Sequence, residues 1–180
     1  MTYYGPKDMA ASFRTVRKNT IQIAQEIPED KYGFSPAPGV RTVGEALVHI
    51  ALATGLQMQI HQQKLSTLAG FDFMAAFGAM TAEAAKPRTK AEVVALLTVE
   101  GEKVGAYLEG LDESFLAESV EMPHPGAPAR TRFDMLASMK EHEMHHRGQL
   151  MLVERMIGIT PHLTRQMQEM MAAAAANNKK

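Results

Sequence analysis

The stretch Lys140-Glu141-His142-Glu143-Met144-His145-His146-Arg147-Gly148-Gln149 places three of the chain's seven histidines within five residues. No Pro or Gly interrupts residues 131–140 before it, and residues 150–157 after it are apolar at helical spacing. Met135, Met139, His142, His146, Leu150, Val153 and Ile157 follow one another in steps of three and four, the spacing of a helix's buried stripe. His142 and His146 therefore stand where leucine normally would. Residues four apart on a helix are neighbours, with Cβ atoms about 5–6 Å apart. Two imidazoles so placed can share one metal ion through bonds of about 2.0–2.1 Å. They also read as a buried polar pair, but with no evident carboxylate partner such a pair is costly unless something satisfies it.

Working outward, Thr131 with Asp134 caps this helix and Gly158 stops it, so it spans about residues 131–157. Thr160-Pro161 then opens a short fifth helix, because Pro is tolerated in a first turn. Leu163, Met167, Met170 and Met171 are its apolar face, and residues 172–180 are low in complexity and expected to fray. Upstream, residues 111–130 form the longest connection, closing on Pro123-His124-Pro125-Gly126-Ala127-Pro128. Residues 118–122 and 129–133 are expected to pair briefly as strands, with His124 a solvated loop residue. Thr89-Lys90-Ala91-Glu92 is a capping box. It opens a helix carrying Val93, Leu96, Leu97, Val104, Tyr107 and Leu108 inward and ending at Gly110. Gly101 and Gly105 in it either admit a close helix or merely weaken it.

Residues 65–88 read as a short helix or a packed loop. Phe71, Phe73, Met74 and Phe77 there form a lid over something apolar, or simply close the bundle's end. A second capping box, Thr42-Val43-Gly44-Glu45, opens a helix over residues 43–64. Residues 46–56 within it are apolar on nearly every side, and His49 is their one titratable group. A lone buried His is more often a neutral, hydrogen-bonded residue than a ligand. His61, twelve residues on, points about 120° away. Pro28, Pro36, Pro38 and Gly39 make residues 28–41 a loop. The first helix runs from residue 8 to Pro28 with the seam Met9, Phe13, Val16, Thr20, Ile23, Ile27, and with Arg14, Arg17, Lys18, Gln22 and Gln25 on its outside.

A chain of 180 residues suits one domain and buries a core without staples. With no Cys, disulfides, thiolate–metal sites and a protein thiol nucleophile are excluded. The net charge of −1 is scattered, so neither nucleic acid nor an anionic membrane is indicated. No signal-peptide pattern or membrane-length apolar run is present, and a cytoplasmic protein is expected. Four long helices with medium loops predict an all-α four-helix bundle over residues 1–161, followed by a C-terminal extension over 162–180. A third imidazole from the buried second helix would complete a His₃ face. Three protein ligands leave a fourth position open, as in catalytic sites.

Residues 43–50, with Gly44, Glu45 and His49, and His142-Glu143-Met144-His145-His146-Arg147-Gly148-Gln149 resemble the two signatures of the DinB/YfiT-like superfamily. The resemblance implies a four-helix bundle, often a homodimer, with a divalent metal held by His49, His142 and His146, His145 being a non-ligand. The superfamily it resembles includes metal-dependent thiol S-transferases and an isomerase, along with many members of no known activity; a thiol-dependent S-transferase or a hydrolase acting on small electrophilic molecules is the expected function. Zn or Ni suits imidazole ligands, and a low-molecular-weight thiol is the expected cosubstrate. The tail after Pro161 departs from the family pattern and is expected to serve association.

Two other readings stand beside this one. His142-Glu143-Met144-His145-His146 matches the H-E-x-x-H of zinc proteases, with Glu143 as general base, although only 34 residues follow His146. A metal that only stabilises a dimeric bundle is the non-enzymatic alternative. Candidate catalytic groups are Glu45, one turn before His49, and Gln149, near the His142/His146 face; their bland roles are helix capping and bundle hydrogen bonding.

Overall fold

The computed structural model describes residues 4–177. In chain order its helices are α1 (Pro6–Glu26), α2 (Val43–Gln62), α3 (Phe73–Ala84), α4 (Lys90–Glu109), α5 (Glu113–Ala117), α6 (Arg132–Met156) and α7 (His162–Asn177). A two-stranded antiparallel ribbon, β1 (Ser119–Val120) and β2 (Arg130–Thr131), joins α5 to α6, with Ser119 opposite Thr131. The four long helices α1, α2, α4 and α6 make an all-α four-helix bundle. Both α1 and α2 pack against α4 and α6, so α1 and α2, consecutive in sequence, take opposite corners.

Local chemistry fixes the starts of these helices. Thr42 Oγ1 accepts from the Glu45 amide at 3.3 Å while the Glu45 carboxylate accepts from the Thr42 amide at 2.8 Å. Thr89 and Glu92 repeat the arrangement at 3.3 and 2.7 Å, and Thr131 Oγ1 accepts from the Asp134 amide at 3.1 Å. Such caps satisfy amides that the first turn leaves without partners. Packing then holds the bundle. Ile23, Ile27, Leu47, Ile50, Leu97 and Leu150 fill one end. Met9, Phe13, Val104, Leu108, Leu136 and Met139 fill the other. Ile60, Leu68, Val120 and Met135 seal the space beneath the ribbon. Burial of side chains of this size contributes about 1.5–3 kcal/mol each.

Several expectations need correction. The first helix begins at Pro6, with the Gly5 amide donating to Asp8 at 3.0 Å. Arg17 does not lie on its outside but is buried, because a carboxylate from α6 meets it. Of the two readings of residues 65–88 the helix holds, over residues 73–84, capped by Asp72 accepting from the Ala75 amide at 2.8 Å. The long connection contains α5, which buries Leu116. The C-terminal helix is longer than expected: residues 172–177 are helical, not frayed, as their run of alanines, the best helix formers, favours. Residues 178–180 lie outside the described part. Its methionines are not a buried face either. Met167, Met170 and Met171 are exposed, and only His162 of α7 is fully buried. Among the described residues no helix is long and apolar enough to cross a membrane.

Candidate metal centre

His49 comes from α2, His142 and His146 from α6. Leu47, Val48, Ile50 and Ala51 are buried around His49, and Met139 and Leu150 bracket the other two, so the register of both helices is set by packing on either side of the histidines. All three rings are half-buried. His142 Nε2 lies 3.2 Å from His49 Nε2 and 3.2 Å from His146 Nε2. One nitrogen from each ring lies within 4.8 Å of the other two. The rings meet edge to face, with centroids 4.5–5.0 Å apart.

Protons alone do not account for this contact. A neutral imidazole has one donor and one acceptor nitrogen, so three Nε2 atoms turned to one point cannot all be satisfied by each other. Nitrogens 3.2 Å apart fit a shared ion bonded at about 2.0–2.1 Å. The surroundings select the right form of His146. Its Nδ1 is 2.8 Å from Gln149 Oε1, while Gln149 Nε2 is 3.1 Å from His145 Nε2. The amide oxygen can only accept, so Nδ1 carries the proton and Nε2 offers its lone pair, the arrangement found in outer shells of metal sites.

The electrostatics keep the rings neutral. Burial, then the charge of Arg41, then His146 and His142, lower the His49 pKa to about 4. Burial, followed by the neighbouring imidazoles His146 and His145 and by Arg41, lowers His142. Burial also lowers His146, against the opposing effect of its bond to Gln149. Neutral imidazoles are the form that binds metal. Among the described residues no further His, Asp or Glu joins the set.

The other candidate residues are placed as follows. His145 is exposed; its ring packs edge to face on that of His146 at 5.1 Å, and its Nε2 is engaged by Gln149 rather than turned to the common point. His61 is fully buried elsewhere, with Nδ1 3.3 Å from Arg132, and His124 is exposed in its loop. Glu45 holds the cap of α2, and the Thr42 backbone and hydroxyl keep its carboxyl below the usual range. Glu143 turns away from the imidazoles. It is 1% exposed and accepts from Arg17 Nε at 2.9 and 3.1 Å, while Arg17 Nη1 donates to the Leu97 carbonyl at 2.8 Å. A carboxylate this deeply buried, with both oxygens on the Arg17 guanidinium, cannot activate water at the cluster, so the protease reading is set aside.

Three cavities abut the cluster. One of about 550 Å³ is bounded by Arg41, Val43, His146, Gln149, Leu150 and Val153. One of about 500 Å³ is bounded by Arg41, Glu45, His49, Leu52 and Met80. A smaller one of about 200 Å³ touches both His49 and His142 and is walled by Phe77, Met80 and Met139. Phe77 thus faces the site, whereas Phe71 and Phe73 pack with Ile60 and Leu68 beneath the ribbon. Sequence reasoning missed Arg41, which adjoins both larger cavities, and the Arg17–Glu143 pair. Arg17 is four residues from Phe13 and three from Thr20, and Glu143 four from Met139, so each lies beside a buried stripe, a position that spacing alone leaves open.

Residues 12–150 match the model of the DinB superfamily. The chain belongs to the DinB superfamily. It is 24% identical over 152 residues to the uncharacterized protein YjoA of Bacillus subtilis (strain 168), covering 84% of this chain and 90% of that protein. The crystal structure of YjoA, a DinB-like protein, superposes with a TM-score of 0.62 over 84% of this chain and 93% of that one. A DinB-like protein from Bacillus cereus ATCC 10987 gives 0.66 at 16% identity, covering 89% and 97%. YfiT from Bacillus subtilis, described as "a probable metal-dependent hydrolase with an unusual four-helix bundle topology", gives 0.67 at 15% identity, covering 89% and 91%. At these identities the solved structures establish that this DinB chain shares their fold.

Proposed function

We propose that this DinB-superfamily chain is a metal-dependent enzyme acting on small electrophilic molecules, as a thiol-dependent S-transferase or a hydrolase. The observation that carries this reading is the convergence of three Nε2 atoms, 3.2 Å apart at two of the contacts, with no fourth protein ligand among the described residues. The description of YfiT supports the hydrolase branch. The thiol branch rests on the resemblance of the two motifs.

His49, His142 and His146 would hold the ion, and Gln149 fixes the proton of His146 on Nδ1. A divalent ion such as Zn or Ni on three neutral ligands keeps its full charge and lowers the pKa of a water or thiol bound to it. The chain has no Cys, so the nucleophile comes with a cosubstrate. Phe77, Met80 and Met139 supply an apolar wall beside His49 and His142, suited to holding an uncharged electrophilic group and limiting water there. The Arg17–Glu143 pair ties α1, α4 and α6 together behind the histidines.

The test begins with elemental analysis of protein purified without added metal, expected to show about one divalent ion per chain bound through imidazole. With Co²⁺ or Ni²⁺ in the site, a low-molecular-weight thiol should produce a new charge-transfer absorption, and conjugation to a simple electrophile should require the metal. Glu143→Gln should keep both properties. Thiols of several kinds leaving the spectrum unchanged while hydrolysis proceeds would move the assignment to the hydrolase. A protein side chain found in the fourth position would end the enzyme reading.

A further inference from the structure

The inference concerns Arg41 and deepens the proposed function, on which it rests. Most arginines of the described chain are engaged with acceptors. Arg14 binds Glu102 and Glu109, Arg17 binds Glu143, Arg88 binds Glu83 and Arg130 binds Asp134. Arg132 binds Glu118, Arg155 the Met151 carbonyl and Thr164, and Arg165 binds Glu26. Arg41 has no hydrogen bond or ion pair among the described residues, and it is exposed. Arg147 is likewise without one, but its charge acts on His162, away from the cluster.

The position of Arg41 is specific. It borders the cavity of about 550 Å³ together with His146 and Gln149, and the cavity of about 500 Å³ together with His49. It is therefore the cation standing between the two approaches to the cluster. Glu45, the acid of the second cavity, commits its carboxylate to the Thr42 amide; the charge of Arg41 acts on it, but no hydrogen bond joins the two, so the guanidinium's donors stay open. The rest of the larger cavity is mainly apolar, with Val40, Val43, Leu150, Leu152 and Val153. Gln149, its polar neighbour, is occupied by two histidines.

The loop that presents Arg41 is braced. The Ser35 hydroxyl contacts the carbonyls of Ala37 and Val40 at 2.8 Å each. Gly39 takes φ +77°, a left-handed value that favours glycine. The Val43 and Gly44 amides donate to the carbonyls of Phe34 and Tyr32 at 3.0 and 2.9 Å. The Tyr32 hydroxyl donates to the Ala24 carbonyl at 2.7 Å, fastening the loop to α1. A cation held on a fixed base, with an apolar trough leading to His146, complements one kind of ligand.

We propose that Arg41 is the specificity residue of this site, selecting small molecules that carry a carboxylate on an apolar body. The carboxylate meets the guanidinium in a two-pronged bond. The apolar body lies along Val43, Leu150 and Val153, which brings the far end of the molecule to His146.

The probes are benzoate and its neutral isostere benzamide, titrated by calorimetry into metal-free and Zn-loaded protein. Wild-type protein should bind benzoate about ten-fold or more tighter than benzamide, in line with a charge-assisted bond. Arg41→Gln should lose that preference by weakening benzoate alone, and Arg41→Lys should keep part of it. The melting temperature of each variant, which an exposed side chain should leave in place, confirms the fold. Benzoate binding of equal strength in wild type and Arg41→Gln overturns the proposal, because any anion held only by the metal survives that change. A second pair, 3-mercaptopropionate and 2-mercaptoethanol on Co²⁺-loaded protein, locates the carboxylate. A preference for the first that vanishes in Arg41→Gln puts it on the thiol cosubstrate; benzoate selectivity without that preference puts it on the electrophile. Loss of stoichiometric metal binding would defeat the parent reading but still leave the metal-free titration to decide on Arg41.

Discussion

Gln149 decides which nitrogen of His146 carries its proton, and so whether that ring can offer a lone pair to the common point. His145 in turn engages the amide nitrogen of Gln149, which makes it a support for a support. These three levels predict a graded series. His142→Ala or His146→Ala removes a ligand and should abolish stoichiometric metal binding. Gln149→Leu should weaken it by about 10–100-fold, the usual cost of losing an outer-shell partner. His145→Ala should be milder still. Competition against a chelating dye reads all four, and equal losses at His145 and His146 would contradict the order. His142 and His146 were legible because they occupy leucine positions in a helical stripe, whereas His49, alone in a helix apolar on nearly every side, gained its meaning only beside them. Gln149 was ambiguous, since only the rotamer of its amide separates a bundle hydrogen bond from a role in orienting a histidine. Arg41 was illegible, because whether an arginine meets a carboxylate depends on residues far away in sequence.

At the scale of helices, the four long elements were legible because their starts carry capping chemistry and their stripes recur at three and four residues. Their arrangement was not, since the same stripes are compatible with several bundle orders. Arg17 shows the consequence. A charge beside a seam reads as solvent-facing until its partner Glu143, 126 residues away, is known. The two glycines of α4 take their meaning from the same packing. A Cβ at Gly101 would sit 2.6 Å from Arg17 Cγ, and one at Gly105 would sit 2.7 Å from Arg14 Nε. Arg17 is buried and fixed by Glu143 and the Leu97 carbonyl, so it cannot move aside cheaply. Arg14 ends among Glu102 and Glu109 on the surface and can. Overpacking costs about 1–3 kcal/mol, against about 1 kcal/mol gained by replacing a helical Gly with Ala. Gly101→Ala should therefore destabilise, by up to about 2 kcal/mol in urea unfolding, while Gly105→Ala stays near neutral or stabilises. Equal effects at the two positions would mean that α1 does not seat on α4 in this way.

For the whole molecule, the junction of α1, α6 and α7 ties global stability to pH. Glu154 is 0% exposed, and neither of its carboxylate oxygens has a partner. Burial, then the nearby charge of Glu26, raises its pKa to about 7, against the opposing charges of Arg165 and Arg155. Glu26 itself is held below the usual range: burial pushes it upward, but Arg165, 2.6 Å away, and the Gln22 amide together outweigh that. His162, from α7, is buried beside them, with burial lowering its pKa. The sign follows from proton counting. Between the ordinary carboxyl pKa of 4.5 and about 7 the folded state keeps the Glu154 proton while the unfolded chain has released it. Stability therefore falls as pH rises through that window. At about 1.36 kcal/mol per pH unit the loss reaches roughly 2–4 kcal/mol by pH 8. Glu154→Gln has nothing to ionise and keeps the shape of the neutral acid. It should be about as stable as wild type at pH 4.5 and more stable at pH 8, with the gap opening between. Urea unfolding of both proteins across that range measures the difference directly, and other titrating groups largely cancel in it. A gap that stays constant with pH would show that Glu154 is ionised, or paired, in the folded protein at every pH tested.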